Sequence, residues 1–172
     1  MIRKASPADL DAVEKIYNEV HQAEEEGECS TGWKRGIYPT RATAEAALKR
    51  DDLFVLEENS AVLGAGIINH IQVDTYDSAP WKYEAPDDRV LVLHTLVISP
   101  KAARRGLGRR FVAFYEAYAL ARGCRELRLD TNARNLPARG MYRALGYREI
   151  AVVPTVFNGI SGVELVLLEK HL

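Results

Sequence analysis

Residues 103 to 110 read Ala-Arg-Arg-Gly-Leu-Gly-Arg-Arg, four arginines around a Gly-x-Gly that opens an apolar-periodic stretch. Glycines let a backbone approach a ligand closely, the first N–H groups of a helix have no internal partner, and the helix dipole is positive at that end. The segment is therefore a candidate anion site, with a pyrophosphate as its natural ligand; read blandly it is a tight turn followed by solvated arginines. It is not a Walker loop, which needs Gly-Lys-Ser/Thr, nor a dinucleotide fingerprint, whose third glycine falls where Phe111 stands. Four other side chains could do chemistry. Asn135 sits where it can cap a helix, Tyr142 lies on that helix's apolar stripe, His94 interrupts an apolar strand, and Asp130 lies on a neighbouring strand. Each has a structural alternative: a plain cap, a core tyrosine, a hydrogen-bonded core histidine, and a carboxylate that pairs with Arg128 or caps a loop.

These residues need elements to position them. Val90 to Ile98 is a near-continuous apolar run, the pattern of a strand covered on both faces and hence of a sheet's centre; plain alternation puts His94 on one face with Val92, Leu96 and Ile98. After Ser99-Pro100 and the glycine-arginine segment, Phe111, Phe114, Tyr115, Tyr118 and Ala119 form one helical stripe that runs to about Arg122 and stops at Gly123. Leu127, Leu129 and Thr131 alternate with Arg128 and Asp130 as a strand, and Asn135 then starts a helix carrying Ala138, Met141, Tyr142 and Leu145, closed by Gly146. Upstream, Ser6-Pro7-Ala8-Asp9 reads as a helix start, followed by Leu10, Val13, Ile16, Tyr17 and Val20 at helical spacing. The acidic stretch Glu24-Glu25-Glu26-Gly27-Glu28 reads as leaving that helix for a loop. A short helix over Thr43 to Leu48, strands over Leu53 to Leu56 and Val62 to Ile71, an ordered excursion loop from Val73 to Asp88, and closing strands over Arg148 to Val153 and Val163 to Leu168 complete the pattern.

Composition bounds the function. At 172 residues with 47% apolar and 27% charged positions, the chain is sized for one domain, residues 1–172, able to bury a core around a pocket. Lysine and arginine number 23 against 24 acids, a net charge of −1, so there is no global field for gripping nucleic acid. Cys29 and Cys124 stand far apart without zinc spacing, which points to no disulfide framework, no structural metal and a reducing, cytoplasmic setting. No apolar stretch is long enough for a bilayer and the amino terminus has no secretory character.

Taken together, Pro100, Gly106, Gly108 and then Asn135-x-x-Ala138-x-x-x-Tyr142-x-x-x-Gly146-Tyr147 resemble the GNAT superfamily of acyl-CoA-dependent N-acetyltransferases in order and spacing, from about Leu91 to Ile150. The resemblance implies an α/β (α+β) fold with a mixed, mostly antiparallel sheet of six or seven strands flanked by helices, and acetyl-CoA as acetyl donor without a metal. It implies that Leu96, Val97 and Ile98 present backbone to the acetyl and pantetheine groups, with Val97 or Ile98 polarising the thioester carbonyl. It further implies that Arg104, Arg105, Gly106, Leu107 and Gly108, with Arg109, hold the pyrophosphate, and that Asn135 bonds the cofactor arm. One position departs from the family: where Gln or Arg usually stands three residues before the first glycine, this chain has Ala103.

By the same resemblance Tyr142 is the acid toward the leaving thiolate. With reference pKa values of about 10 for tyrosine and about 8.5 for a thiol, full proton transfer is uphill by roughly 2 kcal/mol, so a hydrogen bond or late transfer is expected. An alkylamine needs a base, and His94 and Asp130 are the two candidates. The acceptor pocket is expected from the early helices, the loop after the third strand and the last strand pair, which here hold Trp33, Tyr38, His70, Trp81, Tyr83 and Phe157, with Glu24, Glu25, Glu26 and Glu28 nearby. The expected reaction is direct attack of a small-molecule or peptide amine on the thioester, with no nucleic-acid or membrane partner and a homodimer left open. Two other classes compete: a non-catalytic acyl-CoA or nucleotide sensor using the same loop, and a nucleic-acid binder using the arginine cluster.

Overall fold

Val90–Ile98 (β4) is the strand its apolar run predicts, and in the computed structural model, which describes residues 1–172, it occupies the middle of a seven-stranded sheet. The other strands are Ile2–Lys4 (β1), Leu53–Glu58 (β2), Ala61–Asn69 (β3), Glu126–Asn132 (β5), Arg148–Phe157 (β6) and Ile160–His171 (β7). Their spatial order is β1-β2-β3-β4-β5-β7-β6, and only β4 and β5 run parallel. Helices Leu10–Glu25 (α1) and Arg41–Lys49 (α2) cover one face, and Leu107–Ala121 (α3) and Leu136–Ala144 (α4) the other. This is the fold class anticipated above. No helix is long and apolar enough to cross a membrane.

Local chemistry explains the element boundaries. A short turn at Pro7–Asp9 precedes α1, and Asp9 accepts the Ser6 amide at 2.7 Å and the Ser6 hydroxyl at 2.9 Å while Arg3 grips its carboxylate at 2.8 and 2.9 Å. The helix does not stop where the acidic run begins, as expected above, but continues through Glu25. Ala23 is buried against the core, Gln22 reaches Glu26, and Arg35 neutralises Glu25, so the run is tied down by neighbours rather than left to repel itself. The last two strands are also longer than the pattern predicts. They form a hairpin around Asn158-Gly159, where both residues have positive φ, 50° and 78°, as a tight two-residue turn requires.

The sheet is split at its centre. β4 pairs with β5 only from Val90 to Leu93, opposite Glu126 to Leu129. Beyond that, Asp130 to Asn132 stay with β7 while Val97 and Ile98 stay with β3, and the two strands part. At the same point β4 carries a bulge: Thr95 has φ 51°, and Thr95 and Leu96 together oppose Gly66, because Ala65 pairs with Val97 and Ile67 with His94. The extra residue reverses the alternation, which corrects the expectation that His94 shares a face with Leu96 and Ile98. Leu96 and Ile98 pack into the α3/α4 core, whereas Val97 joins the α1/α2 core, on the side to which His94 points from its register partner Ile67.

Candidate active site

The split opens a cleft of about 840 Å³, lined by the ends of β4 and β5, by parts of α1, α2, α4 and β3, by the β6–β7 hairpin and by segments that join these elements. His94, Asp130, Asn135, Tyr142, Arg104 and the Leu96–Val97–Ile98 segment all line it, as do Trp33, Tyr38 and Phe157 from the expected acceptor set. The backbone of β4 presents different groups to its two sides. The Ser99 amide donates to the Leu63 carbonyl at 2.8 Å, so the alternation of an antiparallel ladder commits Val97 to its partner Ala65 and turns the N–H groups of Leu96 and Ile98 toward the gap. Of the two amides expected to face a bound carbonyl, Val97 is thus taken up by β3 and Ile98 is available, together with Leu96.

At one end of the gap lies the glycine-arginine segment. Arg104 and Gly106 adopt positive φ, 62° and 72°, which folds the backbone back so that successive N–H groups converge. The amides from Arg104 to Arg109, six in a row, donate to no acceptor of the protein. They include the first amides of α3, where the helix dipole adds positive potential. A Cβ at Gly106 would meet nothing within 4 Å, and one at Gly108 would lie 3.1 Å from Met141 Sδ. The arginines divide: Arg105 and Arg110 both bind Glu58, while Arg104 and Arg109 have no ion-pair partner. Ala103 is exposed and Arg104 reaches the cleft, so a cationic side chain stands one residue beyond the family's usual position. Free amides, two unpaired guanidinium groups and an open approach fit a pyrophosphate.

Tyr142 and Asp130 meet inside the gap from opposite sides. Tyr142 is only 6% exposed, yet its hydroxyl has no protein partner and points into the cleft. Burial first, and the nearby Asp130 charge second, hold this phenol protonated far above its ordinary range. Asp130 accepts a hydrogen bond from Tyr76 at 2.7 Å, and burial pushes its carboxyl up to about 6 against that bond's opposing effect. It pairs with neither Arg128 nor a loop amide. His94 is pushed down to about 4 by burial. Its orientation follows from its neighbours: Asn69 donates through Nδ2 to Asp52 at 2.8 Å, so Asn69 Oδ1 faces His94 and accepts from Nε2–H at 3.0 Å, and from the Ile71 amide at 2.9 Å. His94 is therefore a neutral imidazole that donates through Nε2.

Other expected residues lie elsewhere. Trp81 and Tyr83 do not reach the cleft: the Trp81 N–H donates to the Tyr76 carbonyl at 2.9 Å and its ring carries the Arg128 guanidinium at 4.1 Å, while Tyr83 stacks on His171. They anchor the excursion loop, whose Lys82 and Tyr83 amides are accepted by the buried Glu169. His70 binds the Val90 carbonyl at 2.7 Å outside the cleft wall. Arg105, Gly106, Leu107, Gly108 and Arg109 flank the cleft rather than line it. Conversely, Asn69, Asp52, Tyr76 and Thr95 were not foreseen. Thr95 hydrogen-bonds Tyr38 through their hydroxyls, and none of these four belongs to a motif; only the fold brings them together.

Comparison with known proteins identifies the family of the chain. The sequence profile of the acetyltransferase (GNAT) family matches residues 11–147. Aminoglycoside N(6')-acetyltransferase type 1 of Salmonella typhimurium is 27% identical over 112 residues, 63% of this chain and 71% of that protein. The uncharacterized N-acetyltransferase YhfO of Bacillus subtilis is 26% identical over 150 residues, 86% of this chain and 89% of its own. YncA from Salmonella typhimurium, solved with its cofactor acetyl-CoA, superposes with a TM-score of 0.71 at 19% identity, covering 99% of this chain and 92% of its own. With a profile match over most of the chain and a cleft built where the sheet splits, this protein belongs to the acetyltransferase (GNAT) family.

Proposed function

We propose that the protein moves an acetyl group from acetyl-CoA to a primary amine by direct attack within one ternary complex. The observation that carries the reading is the juxtaposition of a protonated phenol and a buried carboxylate inside one cleft with a run of six unpartnered amides at its edge. When bound, acetyl-CoA supplies an activated thioester. The amides of Arg104 to Arg109, with the Arg104 and Arg109 side chains, hold the pyrophosphate. The Leu96 and Ile98 amides bind and polarise the acyl arm across the gap, and Asn135 Oδ1, which accepts from the Ala138 amide at 3.3 Å, leaves its amide group for the same arm.

Asp130 and His94 are both in their basic forms at neutral pH, but they differ in strength. A carboxylate with a pKa of about 6 takes a proton from the attacking amine more readily than an imidazole at about 4, and the Tyr76 hydrogen bond fixes its direction. Asp130 is therefore the preferred base, with His94 supporting the polar wall. Tyr142 donates a hydrogen bond to the departing sulfur. Cys29 lines the cleft, but burial and the Glu24 carboxylate push its thiol up to about 11, which leaves it a poor nucleophile and favours direct transfer over an acetyl-enzyme.

A thermal-shift titration with acetyl-CoA beside NAD and ATP, followed by thiol release with an amine panel, tests the reading. A ligand present at about 100 times its Kd adds roughly 2.7 kcal/mol of stability. Stabilisation by acetyl-CoA alone with amine-dependent thiol release is the expected result; stabilisation without turnover on any amine favours the sensor.

A further inference from the structure

Resting on that reading of the cleft, we propose that the acceptor is a primary monoamine on a short chain ending in an aromatic or similarly bulky apolar group, and not a polyamine or an aminosugar. The two faces of the sheet divide the site. Tyr142 belongs to the α3/α4 side, while Ile67, the register partner of His94, belongs to the α1/α2 side, the side from which Tyr76 reaches Asp130. On that second side the space next to Asp130 is walled by Trp33, Tyr38, Phe157, Ile160 and Val163. Trp33 and Tyr38 meet edge to face at 6.1 Å, and Tyr38 is pinned by Thr95. A Cβ at Gly159 would lie 3.5 Å from Ile37, so the β6–β7 hairpin and the segment carrying Trp33 and Tyr38 meet as a roof of two independent parts.

The charges on this side count against a polycation. Glu24 is turned inward, but its carboxylate accepts from the Thr31 amide at 2.7 Å, the Thr31 hydroxyl at 2.9 Å and the Gly32 amide at 3.1 Å, so it staples the loop. Glu25 is held by Arg35, and Glu26 is exposed and bound to Gln22. Glu28 reaches the cleft only from an exposed position at its margin. Apart from Glu28 at the margin, the one lining carboxylate is Asp130, among the aromatic and aliphatic walls, and the remaining charged lining side chains, Arg50 and Arg104, are cations. One ammonium therefore finds one counter-charge, and a second would be buried among rings without any. An apolar body instead replaces water on those walls.

The test uses the CoA complex of the full chain, so that binding is read without turnover. Calorimetric Kd values for phenethylamine, spermidine and kanamycin are compared with kcat/KM from thiol release. Phenethylamine is expected to lead spermidine and kanamycin by at least about tenfold in both, the scale of a specificity step in an apolar pocket. Phe157→Asp, which adds a carboxylate to the roof, is expected to lower that ratio by about tenfold, while Phe157→Leu keeps it. Equal or better use of spermidine or kanamycin by the unaltered protein overturns the proposal, as does failure of phenethylamine to bind at millimolar concentration. If acetyl-CoA stabilises the protein and phenethylamine fails, only the acceptor class falls; if acetyl-CoA does not stabilise it, the acetyltransferase reading falls and the proposal with it.

Discussion

Asp130→Asn should abolish turnover and, above neutral pH, make the fold more stable. In the unfolded chain this carboxyl ionises near 3.8 and in the fold near 6, because burial penalises the charge more than the Tyr76 bond relieves it. The folded state therefore holds the proton more tightly, so stability rises as pH falls through 6 toward 3.8, and above 6 the whole penalty is present. That interval corresponds to about 3 kcal/mol, an upper bound because the residue is open to the cleft on one side and water screens part of it. Asparagine keeps the shape and an acceptor for Tyr76 while removing the charge. We expect a gain of about 2 kcal/mol at pH 8, or about 5 °C in Tm for a chain of this length, shrinking toward zero at pH 4. Scanning fluorimetry of both proteins at the two pH values, without ligand, measures it. A variant no more stable than the parent at pH 8, or a gain of the same size at pH 4, refutes the reasoning. In the unaltered protein, kcat with a weakly basic amine should fall by half near pH 6 if Asp130 takes the proton, and only near pH 4 if His94 does.

Tyr142→Phe should lower kcat by about tenfold or more, leave the Kd for acetyl-CoA within about twofold and leave Tm unchanged, because the hydroxyl has no protein partner to lose; an unchanged kcat would return the residue to the core. Gly108→Glu should eliminate stabilisation by acetyl-CoA, by placing a carboxylate among the free amides and pressing Met141, whereas Arg104→Glu should weaken it without touching the packing; titrations in which both variants match the parent would remove the anion site. Glu24→Ala leaves the Thr31 and Gly32 amides unpaired and should cost about 2 kcal/mol, read as a lower denaturant midpoint, with phenethylamine binding weakened through the displaced Trp33. A midpoint equal to the parent's would show that the loop holds itself.

What could be read from the letters was whatever is local. The apolar run of β4, the stripe on α3 ending at Gly123 and the Asn135 cap depend on neighbours within a turn or a strand, and each stands where its pattern puts it. The Asn158-Gly159 turn was equally local and would have extended the last hairpin. The side assignment of Leu96 and Ile98 was not legible, because the bulge at Thr95 arises from pairing with β3, where Gly66 leaves room for the Phe111 ring: a Cβ there would sit 2.7 Å from it. Trp81 and Tyr83 looked like pocket residues because aromatics in a long loop have no local signature of what they face. Arg128 and Glu169, which hold them, come from β5 and β7. Asn69 and Asp52 escaped notice for the same reason, since their link to His94 spans two strands and a loop.

A sheet that parts at its centre also separates two kinds of heredity. On the α3 side most of the contacts proposed for the donor are main-chain amides, which stay the same whatever side chains surround them, provided the glycines remain. On the α1/α2 side the walls are side chains from a loop, a strand end and a hairpin, each replaceable one codon at a time. Changes of acceptor can accumulate on that second side without disturbing the donor's grip, so a library confined to Trp33, Tyr38, Phe157, Ile160 and Val163 would explore new amines on an unaltered engine.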